Sequence, residues 1–245
     1  MADAQSPAPY LWLDKTVLIT GAGQRIGQEL GEVLAGKGAR VWLGAKQPET
    51  FDRLVHALRA RCRTISAIAL DIADDGSIAA AVGEVGRREG RIDVLINIAD
   101  VAADQGNPAL GSDRPGSDAA KARACLDACF VGPWLAAQHA LPLLRRSCSA
   151  MIVNVTSGYG RAAAEQGAAP EHDGGRAPKG GLDLLSRFVT TELRLEIGLG
   201  KHGTARVLSV TSDSDETDMA AAARLVAAIA EPSPAPRPKT EEEAP

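Results

Sequence analysis

Short apolar stretches alternate along the chain with longer stretches whose apolar residues recur at helical spacing. This alternation constrains the fold more than any other feature. The short stretches are nearly continuously apolar, which is typical of strands covered on both faces. We predict six strands, at residues 16–20, 40–44, 64–70, 91–97, 150–155 and 204–210. The helical stretches between them are long enough to cross over between parallel strands. The pattern therefore predicts an α/β fold, a doubly wound parallel sheet of about six strands with helices on both faces.

The two ends of the chain differ from this alternating region. Residues 1–14 precede the first strand, and residues 232–245 are rich in proline and charge with few apolar side chains. We predict an N-terminal extension at 1–14, a single domain at 15–231 and a disordered tail at 232–245. A chain of 245 residues, 45% of them hydrophobic, is long enough for one well-buried core.

Composition and charge exclude several classes of protein. The net charge of −4 and the lack of a large Lys/Arg cluster argue against nucleic-acid binding. The N-terminus has no signal-peptide pattern, and no apolar run is long enough to span a membrane. The four cysteines lack CxxC spacing and the four histidines are scattered, which favours reduced thiols and no metal site. We expect a cytoplasmic protein that binds neither membranes nor metal.

The turn after the first strand carries the strongest functional signal. It reads TGAGQRIG, from Thr20 to Gly27. Glycines where a strand turns into a helix let backbone N–H groups approach a pyrophosphate, and the helix dipole favours the anion. A merely tight turn is the alternative, but the position at the first strand–helix junction of an alternating sheet favours a nucleotide site. We take five residues here as candidate cofactor-binding residues: Gly21, Gly23, Arg25, Ile26 and Gly27.

With this turn, the chain resembles the short-chain dehydrogenase/reductase (SDR) family from about Lys15 to Met219. The family's signature at the turn is TGxxxGxG. Gly21 and Gly27 match it, while Arg25 replaces the middle glycine, as in the pteridine-reductase-like branch. The resemblance implies a single-domain Rossmann-like fold, a nicotinamide dinucleotide cofactor and oxidoreductase chemistry.

Two further residues match the family's cofactor-binding pattern. Asp71, in ALDIAD, fits the aspartate that meets the adenine ring, and Asn97, in NIAD, fits the first position of the family's NNAG. Ile98 and Asp100 depart from NNAG. The resemblance therefore implies cofactor contacts at Asp71 and Asn97, with an altered surface immediately after them.

The end of the second strand bears on which dinucleotide is bound. An acidic residue there would bind the ribose 2′-OH and repel a 2′-phosphate, but the chain has Gly44, Ala45 and Lys46. Lys46 and the nearby Arg25 supply two cations and no carboxylate. This favours NADP(H) over NAD(H), with a solvent-exposed loop lysine as the alternative reading of Lys46.

The resemblance implies a proton relay of serine, tyrosine, lysine and asparagine, and this chain keeps only part of it. Ser157, in IVNVTS, fits the serine, and Lys179 fits the lysine of YxASKxAL. The position four residues before Lys179, where the family has its tyrosine, is Gly175. Cys129 stands at the asparagine position. In the family, the lysine cation allows the tyrosine hydroxyl to titrate close to neutral pH and to act as the proton donor. Without the tyrosine, this chain lacks that proton donor.

Two hypotheses about function follow. In the first, the chain is a catalytically impaired SDR-like protein, either a pseudoenzyme or a non-catalytic subunit beside an active relative. The segment TSDSDETDM at 211–219, which replaces the family's PG and substrate-covering segment, favours this hypothesis. In the second, the chain is an active NADP(H)-dependent carbonyl or alcohol oxidoreductase with a displaced proton donor. Tyr159 and His172 are the candidates, with Asp173 or a water held by Ser157 and Lys179 as alternatives.

The resemblance also implies an oligomer. SDR-like assemblies usually pair through two long helices, predicted here at 119–146, with a bend at Gly132 and Pro133, and at 178–197. We expect a homo-dimer or tetramer, or a hetero-oligomer with an active SDR.

Overall fold

The computed structural model describes residues 12–23, 25–61, 64–98, 123, 126–157, 206–212 and 227. For residues 129, 156–157 and 206–212 the description covers the backbone only. The two predicted terminal segments and the predicted helix at 178–197 lie outside the described residues, apart from the last residues of the N-terminal extension.

Six strands form one sheet in which every neighbouring pair is parallel. The strand order is β3-β2-β1-β4-β5-β6. The chain thus builds outward from β1 to β3, then returns to the other side of β1 to begin β4. This reversal is the switch point at which doubly wound sheets bind ligands. The prediction of a parallel sheet of about six strands is confirmed, with the strands β1 Thr16–Thr20, β2 Arg40–Ala45, β3 Ile65–Ala69, β4 Val94–Ile98, β5 Met151–Ser157 and β6 Arg206–Ser212.

Helices cover both faces of the sheet, as predicted. Among the described residues these are α1 Arg25–Gly36, α2 Asp52–Arg59, α3 Asp75–Glu89 and α4 Gly132–Leu144, with a short 3-10 helix at Pro48–Phe51. Buried side chains of α1 and α2 share one core cluster with β1, β2 and β4. Those of α3 and α4 form a second cluster on the opposite face. Among the helices that the structure describes, none combines the length and apolar composition needed to cross a membrane.

The helix that leads into α4 changes its register where the sequence predicts a bend. Residues Asp127–Val131 form a π-helical turn, in which the Gly132 N–H donates to the Asp127 carbonyl. Pro133 has no N–H, so the helical hydrogen bond to the carbonyl four residues earlier cannot form. The wider turn before Pro133 therefore takes the place of regular α-helix, and such π-turns are frequent at functional sites.

The fourth strand begins later than predicted, at Val94 rather than residue 91. Before it, the Ile92 N–H donates to the Leu143 carbonyl, at 3.3 Å, which lies outside the sheet ladder. The apolar stretch RIDVLIN predicts a continuous strand, but Ile92 bonds to the end of α4 and only from Asp93 onward does the backbone bond to the neighbouring strands, through the Asp93 N–H to the Thr16 carbonyl at 2.9 Å.

A buried carboxylate holds the amino-terminal edge of the sheet together. Asp93, 1% exposed, accepts hydrogen bonds from the Thr16 N–H at 2.9 Å, the Ser147 hydroxyl at 2.6 Å and the Arg91 Nε at 3.0 Å. The Lys15 ammonium lies 3.7 Å away. Burial opposes ionisation, but the hydrogen bonds from Ser147, Thr16 and Arg91 and the Lys15 charge together hold the pKa of Asp93 below its usual value. Asp93 thus joins β1, β4 and the segment after α4 as an anion.

Candidate nucleotide-binding site

The predicted cofactor-binding residues from four elements meet at the carboxyl-terminal edge of the sheet. Gly21 directly follows β1, Lys46 directly follows β2, Asp71 is the second residue after β3, and Asn97 is the second-to-last residue of β4. These four strands are adjacent in the order β3-β2-β1-β4. The fold therefore places the predicted residues side by side, on both sides of β1 and next to the switch point between β1 and β4.

The glycine turn is shaped by close backbone contacts. Gly21 has φ +68°, and a Cβ on it would clash with the carbonyl oxygen of Ile98. A Cβ on Gly27 would lie 2.7 Å from the Ala22 Cα, so the first turn of α1 packs directly on the loop. Gly23, by contrast, has nothing within 4 Å of its Cβ position. The turn is closed toward β4 and α1 at Gly21 and Gly27 and open toward the outside at Gly23.

Arg25 and Ile26 have different environments at the start of α1. Ile26 is partly buried and packs against the core cluster under α1 and α2. The Arg25 side chain is 79% exposed, and its Nε donates to the Glu29 carboxylate at 3.1 Å. Ile26 therefore anchors the first turn of α1, while Arg25 presents its charge at the surface beside the open side of the loop.

Lys46 and Asp71 form an ion pair, with 3.2 Å between Nζ and Oδ2. The pair exists because β2 and β3 are neighbours in register, Ala45 opposite Ala69, so that the residues after the two strands meet. The Asp71 Oδ1 also accepts a hydrogen bond from the Ala73 N–H at 3.0 Å. The sequence indicates Lys46 and Asp71 separately as candidate cofactor-binding residues. That they form an ion pair follows only once β2 and β3 are known to be neighbouring strands.

The Asn97 side chain lies on the face of the sheet that α4 covers. It is 1% exposed. The Thr20 hydroxyl donates to its Oδ1 at 3.1 Å, and its Nδ2 donates to the Asn154 Oδ1 at 3.0 Å and to the Pro133 carbonyl at 3.5 Å. Thr20 and Asn154 were not singled out from the sequence, although an asparagine inside the apolar stretch MIVNV is a signal for a buried polar contact. A cofactor contact by Asn97 stays a prediction.

The predicted catalytic residues are only partly covered by the structure. Ser157 is the last residue of β5 and lies opposite Ser212 of β6 in the ladder. Cys129 lies in the π-helical turn before α4. Tyr159, His172, Gly175 and Lys179 lie outside the described residues. The proton relay stays a prediction from the sequence.

The described parts of the chain offer no metal centre. Within them, no three or more His, Cys, Asp or Glu side chains converge as they would around a metal ion.

Sequence comparison gives relatives whose names indicate redox chemistry. The oxidoreductase YxbG of Bacillus subtilis, described as uncharacterized, is 29% identical over 210 residues, which cover 84% of this chain and 68% of YxbG. The oxidoreductase UcpA of Escherichia coli is 33% identical over 153 residues, 62% of this chain and 55% of UcpA. The matched region thus spans about half of UcpA and two thirds of YxbG.

Solved structures share the fold. A metagenomic short-chain oxidoreductase in complex with NADP superimposes with a TM-score of 0.70 at 26% identity, covering 89% of this chain and 92% of the other. An NADH-dependent reductase complexed with NAD has a TM-score of 0.71 at 22% identity, covering 89% and 90%. A sequence profile of the short chain dehydrogenase family matches residues 15–224. Together with the strand order and the glycine turn, this match shows that the chain belongs to the short chain dehydrogenase family.

Proposed function

We propose that the chain binds NADP(H) at the carboxyl edge of its sheet and does not transfer hydride through the family's usual proton relay. It would then act as a pseudoenzyme or as the non-catalytic subunit of an assembly with an active relative. One feature carries the proposal: Gly175 stands four residues before Lys179, where the family has its tyrosine. Glycine has no side-chain group that could donate a proton to a carbonyl oxygen.

Dinucleotide binding is supported by the geometry of the first turn. Gly21 takes a left-handed conformation against the end of β4, and the open side of the loop at Gly23 leaves its backbone accessible at the start of α1. Backbone N–H groups at such a helix start would hold the pyrophosphate. The Lys46 ammonium, 69% exposed beside β2, would pair with the 2′-phosphate of NADP(H). The solved structures bound to NADP and to NAD support a nicotinamide dinucleotide at this site without favouring either one.

Loss of the relay is supported by the chemistry that each position would have to perform. Bound NADPH supplies a hydride, and the protein must supply a proton to the carbonyl oxygen that receives it. In the family a tyrosine beside the lysine does this, because the cation makes its hydroxyl acidic enough near neutral pH. Here Ser157 and Lys179 remain, while Gly175 and Cys129 occupy the tyrosine and asparagine positions. A serine and a lysine can orient a carbonyl, but neither is an efficient proton donor at neutral pH.

The test is a titration of the purified protein with NADPH and NADH, followed by turnover assays on a panel of aldehydes and ketones. We expect NADPH to bind and no carbonyl in the panel to be reduced. The variant Gly175→Tyr is assayed beside the unmodified chain, because it would restore the tyrosine at its family spacing from Lys179. Reduction of any carbonyl by the unmodified chain at rates of about 1 s⁻¹ or more, which is ordinary for enzymes, would contradict the proposal.

An active oxidoreductase with a displaced proton donor is the second candidate. It is favoured by the relatives YxbG and UcpA, both of which carry the name oxidoreductase. Tyr159 or His172 would then replace the missing tyrosine. Under this hypothesis Tyr159→Phe or His172→Gln should lower turnover by roughly 100-fold or more, as expected for loss of a general acid. Lys179→Ala should also abolish activity, whereas under the first hypothesis it leaves partner binding unchanged.

A partner subunit would bind along the helix that leads into α4 and the helix predicted at 178–197. Two large apolar side chains on the described part of this surface are exposed, Leu126 at 42% and Trp134 at 40%. Apolar side chains of this size are typical of interfaces. We propose a homo-oligomer or a hetero-oligomer with an active SDR. Light scattering measures the oligomeric state of the purified protein and of a Trp134→Glu variant. If the unmodified chain is a monomer and no SDR co-purifies with it, both the homo-oligomer and the hetero-oligomer are contradicted.

A further inference from the structure

The ion pair between Lys46 and Asp71 has two unlike partners. The Asp71 side chain is 34% exposed and is held by its Oδ1 contact with the Ala73 N–H, while its own N–H donates to the Ser77 hydroxyl at 2.9 Å. Lys46 is 69% exposed, and Asp71 is the partner of its ammonium in the described part of the chain. The carboxylate is therefore the fixed member of the pair, and the lysine, on its flexible stem, is the member that can turn.

We infer that Asp71 sets the preference between NADP(H) and NAD(H) by competing for the Lys46 ammonium. The inference rests on the proposed binding of a dinucleotide at this edge of the sheet. The pair brings one positive and one negative charge together, so the Asp71 carboxylate offsets the Lys46 charge beside the end of β2. Lys46 does not act as an unopposed cation there.

A 2′-phosphate must draw Lys46 away from Asp71 and must also lie near the Asp71 carboxylate. Both effects weaken the binding of NADP(H) relative to a site with an unopposed lysine. The neutral 2′-hydroxyl of NAD(H) meets neither cost. The chain is therefore expected to bind both dinucleotides, with a preference for NADP(H) smaller than its two nearby cations, Arg25 and Lys46, would give alone.

The ratio of the two dissociation constants isolates this effect. NADPH and NADH share the adenine ring, so any contact between Asp71 and the adenine cancels in the ratio of Kd for NADH to Kd for NADPH. An exposed ion pair contributes up to about 1 kcal/mol. Removing the Asp71 charge should therefore raise the ratio by roughly three- to fivefold at low ionic strength, where screening is weak.

The experiment measures both dissociation constants by calorimetry for the unmodified chain and four variants. Asp71→Asn keeps an oxygen for the Ala73 N–H and should raise the ratio, and Asp71→Ser tests the same expectation with a different side chain. Lys46→Met should lower the ratio. In the double variant Lys46→Met/Asp71→Asn, the asparagine substitution should change the ratio by less than about twofold, because only the weak direct repulsion is left. Lys37→Met, beyond the end of α1 on the opposite edge of the sheet, is the matched control and should leave the ratio unchanged.

The outcomes separate this inference from the proposed function. If both dinucleotides bind and neither Asp71 variant raises the ratio, the inference is overturned and dinucleotide binding stands. An equal rise with and without Lys46 would also overturn it, because Asp71 would then act without the lysine. If the folded, unmodified chain binds neither NADPH nor NADH, the proposed cofactor binding fails and the inference fails with it.

Discussion

Replacing Asp93 by alanine is expected to lower the free energy of unfolding by about 4 kcal/mol at neutral pH. The figure follows from the two buried donors that the change would leave without an acceptor. The Thr16 N–H belongs to a residue that is fully buried, and Ser147 is 6% exposed. Each buried donor left unsatisfied costs about 1–3 kcal/mol. Arg91, with a side chain 41% exposed, can turn to water and adds little.

An isosteric change should cost less. Asp93→Asn keeps the shape, and the Ser147 hydroxyl can turn to accept a hydrogen bond from the new amide while the remaining oxygen serves Thr16. Only the charge is lost, for which we expect about 1–2 kcal/mol. The expected order of stability is therefore the unmodified chain, then Asp93→Asn, then Asp93→Ala.

Urea unfolding followed by circular dichroism at pH 7 measures these differences, with Asp52→Asn as the control. Asp52 is also an aspartate but lies exposed at the start of α2, and its change should stay within about 0.5 kcal/mol. If Asp93→Ala unfolds at the same urea concentration as Asp52→Asn, the buried carboxylate does not hold the amino edge of the sheet and the reasoning is wrong.

Three further predictions follow from described contacts. Because the pKa of Asp93 is lowered on folding, the stability it provides is fully present above its unfolded pKa of about 3.9 and is lost as the pH falls below that value toward the folded one. Acid titration of the unfolding free energy should therefore fall more steeply for the unmodified chain than for Asp93→Asn. Gly21→Ala should cost about 2 kcal/mol or more and abolish dinucleotide binding, since its φ is +68° and the new Cβ would meet a backbone carbonyl of β4. Gly23→Ala, with open space around the new Cβ, is the matched control in thermal unfolding and should be tolerated. Asn154→Ala should cost about 1–3 kcal/mol in urea unfolding by leaving the Asn97 amide short of its acceptor, and an unchanged midpoint would contradict the buried network.

Much of the fold is visible in the sequence because local pattern and tertiary packing agree there. Residues 16–20 are predicted and observed as β1, with all five buried. The predicted start of β4 is wrong because Asp93 is buried by its hydrogen bonds to Thr16 and Ser147, about 77 and 54 positions away, and not by a strand pattern. No local pattern contains such contacts. The π-helical turn at Asp127–Val131 was likewise visible only as an expected bend at Pro133.

The candidate site shows the same division. Gly21, Lys46 and Asp71 were identified from motifs and positions, and the sheet order brings them to one edge. The ion pair between Lys46 and Asp71 needed the register of β2 against β3, which the sequence does not state. Asn97 matches a family motif, but its side chain is held on the buried face of the sheet by hydrogen bonds with Thr20 and Asn154. A sequence motif identifies the position of a residue, but contacts with neighbouring residues in the fold determine how its side chain is oriented.

The Thr20, Asn97 and Asn154 side chains have a consequence for how the strands choose their alignment. Thr20 is directly opposite Asn97 in the β1–β4 ladder, and Asn97 is directly opposite Asn154 in the β4–β5 ladder. Around them the strands are nearly uniform in Val, Ile and Leu, which pack almost equally well when shifted along one another. A shift of one residue would turn an amide to the opposite face and leave a buried polar group without a partner. The three polar side chains therefore favour the native register of the central strands over shifted registers during folding. Replacing all three by apolar residues is expected to give a chain that still collapses but pairs its central strands in more than one register.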